Sequence, residues 1–499
     1  MLTRGQFLRA AGGGAAGLLA AGSGADAALH HAKELGTIRG ATAQAATYTT
    51  FRSRPDLLPP AMTVGYPAGV PDATAEGLHF VDPTAKPGAQ AGALIVDSAG
   101  QPVWFNPVRP GWWASNFTVQ LYAGQPVLTW WQGKVRPPGY GHGEGVILDS
   151  SYRQIAVVRA AGGRAADLHE FRLTPRGTAL ITCYPQTVQA DLSAVGGPRD
   201  GYAYESIIQE VDVRSGRLLF EWRSLEHVPI RESYMPPVGV VYDYLHVNSI
   251  DLTPDGHLLV GGRNTCALYK VHRRTGRVLW RLGGRRTDFA MGRGTRFNWQ
   301  HDAQHVAGSQ ISVFDNGSGP LRTEPQSRGL VLLVDQARRT VQLVSAWRHP
   351  RPVRTGAMGS VQTLPDGNVV VCWGLVPTLS EFSSDGSLLS ELRLPWGYNC
   401  YRGFRMPWRG TPTDQPALAA APGPSAGTSV LYASWNGATE VSAWQVSAGA
   451  SVANLQPVGT AARTGFETAI PLPTSQGYAV VTALDSSGAA LGSSRPVAV

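Results

Sequence analysis

From about residue 90 to 395 the chain alternates two kinds of strand-length apolar run, each broken by a turn rich in Gly, Pro, Asp or Ser. One kind carries its turn in the middle of an apolar hairpin: LHEFRLTPRGTALITCY, LHVNSIDLTPDGHLLVGGR, QHDAQHVAGSQISVFDNG and GSVQTLPDGNVVVCWG. The other places an Asp and a turn ahead of a strand that often ends in an aromatic: ALIVDSAGQPVWF, GVILDSSYRQIAVV, IIQEVDVRSGRLLFEW, ALYKVHRRTGRVLW, LVLLVDQARRTVQLVSAW and LSEFSSDGSLLSEL. A unit of each kind makes four strands, and a four-stranded repeat is a blade of a β-propeller. Six units of the second kind predict six blades, with five and seven as the neighbouring counts. The unit at Ala93–Phe105 lacks an inner partner in sequence, and Tyr48–Tyr66 or Tyr401–Trp408 would supply it and close the ring. Trp104, Trp222, Trp280 and Trp347 recur at one place in the repeat and read as packing between blades.

The pattern changes after Trp408. Residues 411–427 are rich in Pro, Ala and Gly and read as a linker. Residues 428–499 return to short alternating strands and predict a small β-sandwich of fibronectin-III or immunoglobulin type. The fold class is therefore all-β, with a propeller over residues 45–410 followed by the sandwich.

Composition narrows the classes. Hydrophobic residues make up 43% of 499 and charged residues 16%, enough for a large core. No apolar run of spanning length follows the N-terminus, which argues against stable membrane insertion. The net charge of +8 is scattered, and its densest pairs, Arg273-Arg274 and Arg285-Arg286, are too short for a nucleic-acid tract. Cys183, Cys266, Cys372 and Cys400 show no C-x-x-C spacing, so a zinc cage is not expected, while one or two disulfides stay open. Residues 1–27 combine a basic start, a weakly apolar stretch and Ala25-Asp26-Ala27, the pattern of an export signal. TRGQFLRA is similar to a twin-arginine signal with Gly5 in place of the second Arg, so a secreted or extracytoplasmic location is expected.

Three inner hairpins begin with His at the same place: His169, His246 and His301; the fourth has Ser360 there. Matching positions in a rotational repeat share one height on the channel, so the three imidazoles are expected to converge. Turn arithmetic sets His246 opposite Arg263 and His301 opposite Asn316, and puts Asn248 on the face of His246. Carboxylates are sparse in this set beyond Glu170 and Asp302. Two opposed carboxylates for a glycosidase are not prominent, and no nucleophile elbow for a serine hydrolase stands out. Imidazoles, amides and a guanidinium suit an anionic tetrahedral group, and a neutral His is a competent nucleophile toward phosphoryl or sulfuryl centres. Arg263 would repel a metal ion, and no cofactor is called for. Two other classes stay open: a non-catalytic propeller that binds a ligand or wall component, and a metal-dependent lyase or hydrolase using the histidines.

The runs DLHEF, DYLHVNSID, LLVGGRNT, WRLGGRRTDF, WQHDAQ and VFDNG, in this order, resemble the arylsulfotransferase family in its actinobacterial and fungal-like branch, over about residues 45–410. The resemblance implies a six-bladed propeller that moves a sulfuryl group from an aryl sulfate to a phenol through a sulfated histidine, without a nucleotide donor. It implies His301 as nucleophile, His246, Asn248 and Arg263 as the sulfate-binding set, and His169 as a further active-site histidine. Asn316 and Trp299 are candidates for substrate contact, with Trp130 and Trp131 as further aromatics near the mouth.

Overall fold

The computed structural model describes residues 48–67, 74–84, 89–321, 324–473 and 476–499; the expected export segment, residues 1–27, lies outside them. Among the described residues the regular structure is β, apart from four single-turn 3-10 segments. The second kind of repeat forms because its turn residue satisfies the backbone locally. Asp97 accepts from the amides of Ala99 (2.9 Å) and Gln101 (2.8 Å), and Asp149 from those of Ser151 (2.9 Å) and Arg153 (3.0 Å). In ALYKVHRRTG the imidazole of His272 takes the same part, accepting from Arg274 and Thr275.

Six antiparallel four-strand units result. The second runs Trp113–Tyr122, Gln125–Arg136, Tyr140–Leu148, Gln154–Val158, and the third Ala166–Leu173, Thr178–Ala190, Gly201–Asp212, Leu218–Arg223. The fourth is Val247–Leu252, Leu258–Gly262, Ala267–Val271, Val278–Gly283. The fifth begins at His301–His305 and the sixth at Ser360–Thr363. The first unit is composite: Leu78–Thr84, Gly92–Val96 and Pro102–Pro107 take as inner strand Asn399–Met406, with Phe80 paired to Phe404. Of the two segments expected to close the ring, the one around Tyr401 does so. The other contributes Thr63–Gly65 to the outer edge of the sixth unit.

The six first strands touch one another in a closed cycle, from Asn399–Met406 through Trp113–Tyr122, Ala166–Leu173, Val247–Leu252, His301–His305 and Ser360–Thr363 back to the start. The recurrent tryptophans link neighbouring units at their rims. Trp222 donates to Gly276 O (3.0 Å), Trp280 to Gln336 Oε1 (3.0 Å) and Trp347 to Ser383 O (3.3 Å), each on the outer turn of the next unit. Trp104 stacks on Tyr152 of the next unit at 5.0 Å. The inner hairpin of the second unit, absent from the sequence pattern, turns on Ala123 and Gly124, both at positive φ, as a two-residue type I′ turn.

The C-terminal part packs two sheets around Leu431, Trp444, Ile470 and Val481. The expected linker 411–427 is corrected here: Ala417–Pro422 is an edge strand paired with Ser429–Ser434. Its alanines read as linker by composition, while its flanking prolines are tolerated because an edge strand need not donate on both sides. The sandwich is docked on the ring. The Asn436 amide pairs with both backbone groups of Phe105 (2.9 and 3.0 Å), Tyr152 donates to Gly437 O, and Phe51 meets Phe466. The four cysteines are free and buried.

Candidate active site

The three histidines meet at one end of the ring, each delivered by the start of an inner strand. His169 lies two residues after Asp167 on the same strand face. Its Nδ1 is 2.5 Å from Asp167 Oδ2, whose other oxygen accepts the Gly141 amide at 2.5 Å. Gly141 is required there: a Cβ would fall 2.5 Å from the Trp131 ring. His246 precedes its strand in the left-handed region (φ 56°), and Nδ1 contacts Asp243 Oδ2 at 2.7 Å. Its Nε2 lies 3.1 Å from His169 Nε2.

His301 stands between two left-handed residues, Trp299 (φ 51°) and Asp302 (φ 50°), a strain of about 1–3 kcal/mol each that a packed site sustains. Its Nδ1 faces two acceptors, Trp299 O at 2.9 Å and Asn316 Oδ1 at 2.7 Å. Two acceptors fix the hydrogen on Nδ1 and leave the lone pair on Nε2, where the Met358 amide donates at 3.2 Å. Asn316 is held in this sense by donating Nδ2 to Thr355 O and Met358 O, both at 3.1 Å.

Arg263 lies beside the imidazoles. Its amide donates to His246 O at 3.0 Å, the pairing expected from the sequence, reached through the bulge between Val247 and Ser249. Its guanidinium sits 3.7 Å over the Trp299 ring and donates to Asn264 Oδ1 (2.9 Å) and Gly356 O (3.0 Å). Arg263 Nε and Trp299 Nε1 are buried donors without a protein acceptor. Burial draws Arg263 down to about 10, still cationic at neutral pH. Burial, then the Arg263 charge, holds His301 well below the usual imidazole range, against the opposing Asn316 contact. Burial also lowers His246, with Asp243 opposing.

Below the imidazoles the axis is filled by Arg402, which donates to Glu170 (3.0 and 3.1 Å) and Asn248 O (3.1 Å) and pairs with Asp302 at 3.3 Å. The neighbouring Tyr401 hydroxyl donates to the carbonyls of His169 and Asn248 at 3.3 Å. Tyr140 stands beside the histidine pair, its ring 4.8 Å from His246 and 5.6 Å from His169, and donates to Asp243 Oδ1 at 2.7 Å. Tyr204 and Tyr184 lie against Tyr140 on the partly exposed side.

Several expectations are corrected. His301 pairs with Phe314 rather than Asn316, because the hairpin's register already runs one position short, with Gln304 opposite Ser312, and a bulge after His301 removes one more; the Asn316 side chain still reaches the ring. Asn248 does not follow His246 by simple alternation, since His246 is left-handed and a bulge separates Val247 from Ser249. The Asn248 amide donates to Gln300 O at 2.7 Å, and its Oδ1 is buried without a partner. The Trp299 ring carries Arg263 on its face and has Gly319 against it, so it supports the guanidinium. Trp130 and Trp131 are core residues, Trp131 donating to Ala166 O. The carboxylates are not sparse: Asp167 and Asp243 each back an imidazole. An Asp two or three residues before the His in DLH and DYLH was the signal for them. Tyr140, Tyr401 and Arg402 carried no such signal. Among the described residues no group of three or more His, Cys, Asp or Glu is arranged to hold a metal ion, and no helix is long and apolar enough to cross a membrane.

A family model described as arylsulfotransferase (ASST) matches residues 118–393, more than half of the 499. No curated protein matches. Similar solved structures include a protein of unknown function from Bacteroides caccae (14% identity, 66% of this chain and 98% of that one, TM-score 0.41). A catalytically inactive virginiamycin B lyase from Staphylococcus aureus with quinupristin gives 7% identity, 75% and 97% coverage and TM-score 0.35. The periplasmic gluconolactonase of Pseudomonas aeruginosa gives 14% identity, 77% and 96% coverage and TM-score 0.29.

Proposed function

The chain belongs to the arylsulfotransferase family, and we propose that it moves a sulfuryl group from an aryl sulfate to a phenol by way of a sulfo-histidine at His301, with no nucleotide donor. On this reading the closed cycle of inner strands is a six-bladed propeller with the site at one end of its axis. The C-terminal sandwich is of fibronectin-III type, and the chain acts outside the cytoplasm after export by its N-terminal segment.

The observation that carries the reading is the pair of acceptors, Trp299 O and Asn316 Oδ1, at Nδ1 of His301. With hydrogen held on Nδ1 by Asn316 and Trp299 O, the Nε2 lone pair is the nucleophile, and low basicity keeps it unprotonated at neutral pH. Attack at sulfur requires the Met358 amide to yield its long contact. The S–O bond to the aryl group breaks as the N–S bond forms. Charge on the sulfuryl oxygens meets Arg263, whose Nε is a buried donor without a protein acceptor and whose guanidinium is held over the Trp299 ring. Asn248, tied to Gln300 O beside His301, steadies the spacing of two neighbouring inner strands. A second phenol then takes the sulfuryl group from Nε2, which is a ping-pong sequence.

Incubation with 4-nitrophenyl sulfate and phenol, followed by mass spectrometry after donor alone, tests this. The expected result is turnover, and one added sulfuryl mass on the His301 peptide that disappears when phenol is added. Turnover lost to a chelator and restored by one divalent ion would favour the lyase or hydrolase reading. Absence of turnover would favour a binding module.

A further inference from the structure

The contact between His169 and His246 has an uncommon requirement. Each ring has a carboxylate at Nδ1. Asp167 already accepts main-chain amides at both oxygens, and Asp243 accepts the Tyr140 hydroxyl, so both carboxylates are acceptors and each Nδ1 carries a hydrogen. The two Nε2 atoms, 3.1 Å apart, would then present lone pairs to each other. A hydrogen must lie between them.

We infer that His169 and His246 form one proton-holding unit that shares a single proton between their Nε2 atoms, with Asp167 and Asp243 as the positioning residues that keep it there. The inference rests on the sulfotransfer reading for its use: the shared proton goes to the departing aryl oxide. In the first half-reaction His301 gains the sulfuryl group, the S–O bond breaks, and the unit's proton forms the O–H bond of the released phenol. In the second, the incoming phenol returns its hydrogen to the unit as its oxygen takes the sulfuryl group from Nε2. No other reactant is consumed. The groups facing the pair are Asp167, Asp243, Tyr140, Tyr401, Arg263 and His301. Two carboxylates balance the shared proton and Arg263, so the unit sits in a near-neutral surrounding. Burial works against the charge on His246, and Asp243 works for it.

Nitrogen-15 NMR of the full chain with labelled histidine, assigned with His169→Gln and His246→Gln, decides the proton count without any turnover. At neutral pH we expect three N–H hydrogens on the two rings, one of them shared. Only two would overturn the inference, and wild-type spectra alone settle that point. In Asp243→Asn and Asp167→Asn the shared hydrogen should titrate away at least about one pH unit lower; no change in either variant would overturn the positioning role. In turnover, phenyl sulfate needs the proton and 4-nitrophenyl sulfate, with its better leaving group, needs it little. Each Asn variant should lose roughly tenfold more rate with phenyl sulfate. Equal losses would overturn the proton-donor role. If wild type turns over neither donor, the sulfotransfer reading fails, and the NMR count still stands or falls by itself.

Discussion

His301 and the His169–His246 pair share one site and differ in what stands behind each ring. An amide oxygen and a main-chain carbonyl hold His301 Nδ1, while carboxylates hold Nδ1 of the other two. Neutral acceptors fix a tautomer, and the support that Asn316 gives the charged ring is outweighed by burial and by Arg263. A carboxylate fixes the same tautomer and also favours the imidazolium. One residue type is thereby divided between a lone-pair donor and a proton holder, and the division is written in the backing residues. Arg263 deepens the contrast, since its charge bears on His301 directly while Asp243 offsets it at His246.

The contrast can be broken most severely at its neutral member. His301→Ala should reduce transfer by more than about 10⁴-fold, the scale for a lost nucleophile, with circular dichroism unchanged. Residual transfer near wild type would move the nucleophile elsewhere. Arg263→Ala should cost roughly 10²–10³-fold in kcat, the range for one transition-state donor, measured with 4-nitrophenyl sulfate. Asn316→Asp would give His301 the same kind of backing as the pair. The new carboxylate raises the His301 pKa, so more of the ring is protonated as pH falls, and the acid limb of kcat/KM should move up by about one pH unit. An unchanged limb would mean that the amide does not set the protonation of His301. Tyr140→Phe removes one hydrogen bond from Asp243 and leaves the ring, so a loss of only about two- to tenfold is expected, seen in the same assay. A loss as large as that of Arg263→Ala would place the Tyr140 hydroxyl on the substrate.

The outer hairpins were readable because each turn satisfies its own amides through one side chain, as Asp97 and Asp149 do. His246 does fall opposite Arg263, but only because the bulge between Val247 and Ser249 shifts the register that Leu252 and Leu258 begin, so that expectation came out right through two offsets that cancel. His301 and Asn316 met by side chain although the register had slipped, since a bulge is invisible to an alternation count. The second unit's inner hairpin went unread: its Ala123-Gly124 turn lacks the Pro that marks three of its four counterparts, and no His opens its first strand. Tyr401 and Arg402 could not be read at all. They reach the histidines across more than 230 positions of chain, and nothing local in their sequence records that contact.

The strand that carries those two residues has a consequence in time. Asn399–Met406 is made after all six outer hairpins, yet it is the inner strand of the first unit. Until it arrives, His169 has no Tyr401 beneath its carbonyl and Glu170 no Arg402 to neutralise it. Between the synthesis of His301 and that of Asn399, a nascent chain therefore holds all three histidines without holding a finished pocket. If the proposed sulfotransfer holds, reactivity toward an aryl sulfate begins only when the ring is sewn shut, and its onset marks the arrival of that strand.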